Sequence, residues 1–347
     1  MPVNETSMIE STDQGIYPPK PLVQDRESNP YVSAIISLLL YAAFGYMLGG
    51  GSVVTMVALV IVLLIHESGH LAAMWFYGYQ KLRMLFIPLM GAVAMGNKQD
   101  VSDKEDSVIL LAGPLPGILL GYVLLFLSVG SIGDGIPFFT NDGSVSTEHF
   151  SITDPLMYGI ARLFIILNVI NLLPFFPLDG GQLFRALFFR TGFVPYFIFA
   201  VVSLGFLLLI FSGNLTTVVL LVVFFGRPLY NQYRAQAFYK ALKQQHVDYR
   251  KTYDELSDRD FWLMRDALPA YSNSYNYIVP DQFRIFPNAN AMEIQAIRSL
   301  LERRYHQDLG AAGKIFFSAL WLLSLLSVFV TDYILPGSIG ILERLGL

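Results

Sequence analysis

Cysteine is absent from the 347 residues. That excludes disulfides, thiolate metal ligands and a cysteine nucleophile. Charge is scarce too. Only 14% of the residues are Asp, Glu, Lys or Arg, against about 25% in an ordinary soluble domain. With 54% hydrophobic residues, this excludes a disordered chain, a fibrous protein and a typical soluble enzyme. It indicates an all-α polytopic membrane protein. The net charge of −4 argues against a nucleic-acid partner. Residues 1–30 lack a basic stretch leading straight into an apolar run, so no cleavable signal peptide is expected and the segment reads as a flexible polar tail.

What is present is a series of apolar runs. Seven candidate spans read as 32–49, 54–77, 107–129, 157–177, 193–212, 215–230 and 313–335. The sixth is short, so six is the alternative count. Lys and Arg are missing from the turn at 50–53, from the loop 130–156 and from the turn at 212–214. They gather on the other side, as Lys81, Arg83, Lys98, Lys104, Arg185, Arg190 and the residues after Arg227. The positive-inside bias then puts the N-terminus and residues 78–106, 182–192 and 231–312 in the cytoplasm. Which membrane is involved stays open. The expected layout is a tail (1–30), a membrane core (31–230), a cytoplasmic helical region (231–312) and a last span with its tail (313–347). Within 231–312, helices are expected near 231–246, 253–268 and 290–309. Thr252 with Glu255 and Asn290 with Glu293 supply N-cap spacing, and Gly310 a C-terminal stop.

The second span contains His66-Glu67-Ser68-Gly69-His70. Residues i and i+4 share a helical face, so both imidazoles can reach one metal. Two histidines suit zinc and leave room for a third ligand and a water. Glu67, next to the first histidine, is placed to take that water's proton and hand it to a leaving amine. Ionisable groups inside an apolar span are costly, and mark function.

With no cysteine, the third ligand is expected to be a carboxylate. Asp179 is the one at membrane depth, within NLLPFFPLDGG. Pro174 and Pro177 break the helix there. Gly180 and Gly181 permit close backbone approach. Such an unwound stretch is tolerated in a membrane only when it lines protein or water.

These two motifs together resemble the site-2 protease family of intramembrane zinc metalloproteases, over roughly residues 54–185. The resemblance implies that His66, His70 and Asp179 hold one Zn²⁺ per chain and that Glu67 is the catalytic base. It implies that Asn171 lies near the substrate backbone. Asn168, on the same span, reads as helix–helix glue. The segment 82–97 contains Pro88, Gly91 and Gly96 and reads as a re-entrant hairpin after the second span. In the family such a hairpin pairs with an unfolded substrate strand. The family often carries an asparagine soon after the Gly-Pro that here is Gly113-Pro114, where this chain has Gly117. The implied activity is hydrolysis of peptide bonds in or near transmembrane segments of membrane-protein substrates. A regulatory partner at residues 231–312 is left open, since the loop 130–156 is too short for a PDZ domain. The rival readings are a non-proteolytic relative that binds membrane segments and a metal-ion transporter.

Overall fold

The computed structural model describes residues 17–23, 29–48, 53–87, 91–128, 155–189, 193–210, 215, 218–219, 222–278 and 289–334. The loop 130–154 and residues 216–217 and 220–221 of the sixth candidate span fall outside these residues. The chain forms two compact units. One holds residues 28–98, 102–192 and 307–347, the other residues 1–27, 99–101 and 193–306.

The first unit opens with α1 (Pro30–Leu48) and α2 (Val53–Phe76). Twenty-four residues make α2 about 36 Å long, enough to cross a hydrocarbon core of about 30 Å. An antiparallel hairpin follows, β1 (Gln80–Ile87) with β2 (Gly91–Asn97), in which Phe86 faces Ala92 and Leu85 faces Val93. A bulge between Gln80 and Arg83 takes the chain through a positive φ of 53° at Lys81. Helix α1 lies along β1. There Ser37 Oγ accepts the Phe86 amide at 3.1 Å, and Tyr41, Leu63 and Phe86 form a small core.

The third expected span is two helices, α3 (Asp103–Ala112) and α4 (Pro114–Ser128), joined at Gly113. Pro114 has no amide to give the ladder, so the run breaks there. Helix α3 starts four residues earlier than the apolar run. Ser102 caps it by accepting the Glu105 amide at 3.1 Å, and Asp103, Glu105 and Asp106 suit its positive end. Helix α5 (Pro155–Asn171) ends where the prolines begin. The chain then turns through 172–178 into the short α6 (Asp179–Phe184), with a cis bond between Phe176 and Pro177. The long α11 (Ala311–Ile334) sends the Trp321 indole to the Leu172 carbonyl at 2.7 Å, satisfying an orphan acceptor at the end of α5. Leu111, Ile118, Leu172, Leu183, Leu187, Phe317 and Trp321 pack around it. Among the described residues three stretches, Val53–Phe76, Asp103–Ser128 and Ala311–Phe329, are long and apolar enough to cross a membrane, and Pro30–Ala43, Leu156–Asn171 and Phe193–Leu209 are shorter apolar helices.

The second unit comprises α7 (Phe193–Ile210), α8 (Arg227–Gln244), α9 (Asp258–Tyr271) and α10 (Ala291–Leu300). Its core gathers Phe238, Leu242, Phe261, Met264, Leu268 and Ile297. Two expectations shift here. Thr252 and Glu255 do exchange hydrogen bonds, at 3.1 and 3.3 Å, but they close only a turn. The helix begins at Asp258, because Ser257 caps it through the Asp260 amide and Leu256 is buried just before it. Asn290 caps α10 as expected, accepting the Glu293 amide at 2.9 Å. That helix stops at Leu300, and β4 (Arg304–His306) then pairs with β3 (Asp100–Ser102). Gly310 stands ahead of α11 rather than closing α10. Of the tail read as flexible, residues 17–23 pack on this unit, with Trp262 donating to the Pro18 carbonyl at 2.7 Å.

Candidate metal centre

Helix α2 brings His66 and His70 to one face, and the turn after α5 brings Asp179 to them. His66 Nε2 lies 3.0 Å from Asp179 Oδ2, and His70 Nε2 lies 3.3 Å from the same oxygen. The two Nε2 atoms are 3.1 Å apart. Among the described residues these three form the one group of metal-ligating side chains found. All three are shielded from solvent, with side-chain exposures of 4%, 8% and 14% for His66, His70 and Asp179.

Asp179 is held there by its own backbone. A Cβ at Gly180 would run into the Leu172 and Leu173 carbonyls, and one at Gly181 into the Phe175 carbonyl. Only residues without a side chain let the turn fold back this tightly and still start a helix at the aspartate.

The rings are fixed from behind. His70 Nδ1 donates to the Ile109 carbonyl at 2.7 Å, an atom that can only accept. Asn168 Nδ2 donates to the Phe164 carbonyl at 2.7 Å. Its Oδ1 therefore faces His66 Nδ1, 2.7 Å away, as an acceptor. In their neutral form both imidazoles thus carry their proton on Nδ1, and both Nε2 lone pairs point inward at each other and at a carboxylate oxygen. Three acceptors at this range repel unless a proton or a metal cation lies among them. The spacing fits a metal, since donors about 2.0–2.1 Å from a tetrahedral zinc lie about 3.3 Å apart. The arrangement is also that of metal-ligating histidines, whose second nitrogen donates to a carbonyl or carboxylate.

Glu67 is buried beside the cluster, 5% exposed, with the Ala94 backbone of β2 close to its carboxylate. The hairpin therefore touches the residue next to the first histidine. Asn171 closes α5 and is half-buried. It is Asn168, one turn earlier and fully buried, that meets an imidazole. The sequence reads Asn171 as a substrate contact and Asn168 as helix–helix glue, and the neighbour that Asn168 meets is the His66 ring. The signal that could have separated them is Gly117. A Cβ there would fall on the Asn168 amide, so the missing side chain on α4 is the space Asn168 occupies.

Comparison with known proteins follows the same stretch of chain. Residues 54–212 match the sequence model of peptidase family M50. Stage IV sporulation protein FB of Bacillus subtilis is 29% identical over 151 residues, which is 44% of this chain and 45% of that protein. A zinc metalloprotease of Methanocaldococcus jannaschii is 31% identical over 134 residues, 39% of this chain and 34% of that protein. The chain thus spans less than half the length of these two curated relatives. A solved structure, the site-2 protease from Methanocaldococcus jannaschii, aligns over 58% of this chain and 88% of its own, at 25% identity and a TM-score of 0.37. The stretch that resembles peptidase family M50, residues 54–212, is the one that holds both histidines, Glu67 and Asp179.

Proposed function

We propose that the protein is an intramembrane zinc metalloprotease that hydrolyses peptide bonds in or near transmembrane segments of membrane-protein substrates. One observation carries the reading. Two imidazole lone pairs and a carboxylate oxygen face one another within 3.3 Å, each imidazole held in its tautomer from behind.

His66, His70 and Asp179 would hold one zinc ion. When bound, zinc supplies Lewis acidity to a peptide carbonyl and makes a water molecule acidic near neutral pH. Glu67 takes a proton from the attacking water and returns it to the leaving amine as the C–N bond breaks. The Ala94 backbone stays close to the Glu67 carboxylate through both transfers. Asn168 and the Ile109 carbonyl keep the rings from rotating. Asn171, at the end of α5, would contact the substrate backbone. The hairpin β1–β2 would dip into the membrane from the cytoplasmic side and pair with an unwound substrate strand, taking affinity from backbone hydrogen bonds with little sequence demand. In this reading the chain crosses the membrane six or seven times. Its N-terminus and residues 231–312 are cytoplasmic, with the latter open to a regulatory partner.

A transporter with the same ligands would need further acidic or histidine groups along a path, and the described residues hold a single cluster. A non-proteolytic relative would have no need of Glu67. The test is cleavage of a transmembrane substrate panel by the purified full-length chain, with Glu67→Gln and a chelator as controls. Cleavage by the wild type alone is the expected result. Equal cleavage by Glu67→Gln, or none by the zinc-loaded wild type across the panel, would sink the reading.

A further inference from the structure

The second unit contains a site that the proposed proteolysis does not use. Residues 17–23 read Tyr-Pro-Pro-Lys-Pro-Leu-Val and lie against the turn 253–256 and the start of α9. Lys20 anchors them. Its ammonium donates to the carbonyls of Tyr253, Asp254 and Leu256 at 2.7, 2.8 and 2.5 Å. An ammonium has three protons, so this one is saturated by protein. It also stands 5.4 Å over the Tyr253 ring, in cation–π range.

The rest of the segment is met in the same complementary way. Proline has no amide proton, so Pro18 to Pro21 offer carbonyls to a partner and a single backbone N–H, that of Lys20. The Lys20 amide donates to Asp258 Oδ1 at 2.8 Å. The Pro18 carbonyl accepts the Trp262 indole proton at 2.7 Å, and the Pro21 carbonyl accepts the Tyr253 hydroxyl at 2.9 Å. Tyr17 packs on the core of the unit. Contact then stops, for Leu22 is 96% exposed. Aromatic residues with a polar handle, an acid for the lone amide and a cage of carbonyls for the lysine are what an extended proline-rich ligand requires. Such a ligand is already ordered before it binds, so little entropy is lost.

We propose that this surface is a recognition site for extended proline-rich segments carrying a lysine, of the form Tyr-Pro-Pro-Lys-Pro. Residues 17–23 are its built-in ligand, and the same chemistry on a partner protein competes for it. Turn 253–256, Asp258 and Trp262 do the reading. The lysine supplies the specificity, because no other side chain gives three protons from a single atom to three carbonyls.

The proposal is independent of the protease activity, and so is its test. A full-length chain with Pro18→Ser, Lys20→Ser and Pro21→Ser is titrated in detergent with a fluorescent peptide of residues 16–24. Saturable binding is expected. The same peptide with Lys20→Ala should bind at least tenfold more weakly, and the wild-type protein, whose own tail competes, should also bind the peptide at least tenfold more weakly. Adding Trp262→Phe to the opened chain keeps a ring but removes the indole donor, and should weaken the peptide again. If the triple variant does not fold, Lys20→Ala alone serves as the opened chain. No saturable binding, equal binding of the two peptides, or equal binding by opened and wild-type chains would each overturn the proposal.

Discussion

Each unit buries ionisable side chains, and the two do so in opposite ways. In the second unit Arg265 and Glu293 are 9% and 2% exposed and lie 2.8 Å apart. The Tyr277 hydroxyl and the Asn290 amide donate to the other carboxylate oxygen at 2.7 and 3.2 Å. Every acceptor there has a donor, and the arrangement is complete. In the first unit three acceptors face one another and their donors all lie behind. Burial and hydrogen bonding alone would score the two clusters alike. What separates them is the sign of what points inward. A buried pair that closes on itself is structural, and a buried set of like groups asks for a cation from outside.

That contrast can be broken at both ends. The largest effect is expected from Glu67→Gln, which should lower turnover about 10²–10⁴-fold while metal content stays near one zinc per chain. By contrast, His70→Ala or Asp179→Ala should abolish stoichiometric zinc, measured by atomic emission on the purified chain. Next is Arg265→Ala, which strands the Glu293 carboxylate and should cost about 3–5 kcal/mol of stability in the second unit, seen as an earlier thermal transition. Zinc stoichiometry should not change. If Arg265→Ala released zinc, or His70→Ala melted the second unit, the division between the two clusters would be wrong.

Asn168→Ala should weaken zinc about 10–100-fold, measured by competition with a chromophoric chelator. Gly117→Ala should do similar harm in the native chain and less once Asn168→Ala has emptied the space. Additive losses would mean that Gly117 serves something other than Asn168. The smallest effect is at a cap. Ser257→Ala should destabilise α9 by about 1 kcal/mol, whereas Thr252→Ala, on a turn that starts no helix, should cost less.

The meeting of His66, His70 and Asp179 was largely legible in the sequence, for identifiable reasons. His66 and His70 announce their shared face by spacing alone. Asp179 is marked by the prolines and glycines that force the chain out of a helix in apolar surroundings. Asn168 was not legible, because an amide on an apolar helix reads the same whichever neighbour it meets. Its partner is 102 residues away, and the space for it is made by Gly117 on a third helix. The same holds for β4, whose three residues have meaning only opposite β3, about 200 positions earlier. The cap at Ser257 was misplaced for a local reason. Two cap signals lie five residues apart, and the packing of Leu256 between them decides which one starts the helix. The apolar helices were found more surely than their ends, since Gly113-Pro114 breaks an apolar run that hydropathy treats as continuous.

The histidine motif has two positions besides its histidines and glutamate, and the fold treats them unequally. Ser68 is exposed. Gly69 sits where α2 crosses α3, and a Cβ there would strike the Ala112 carbonyl. A library randomised at both positions should therefore return many residues at 68 and glycine at 69. For anyone scanning genomes or redesigning this protein, the working motif is five letters with one blank, and the fourth letter is written by the neighbouring helix rather than by the chemistry.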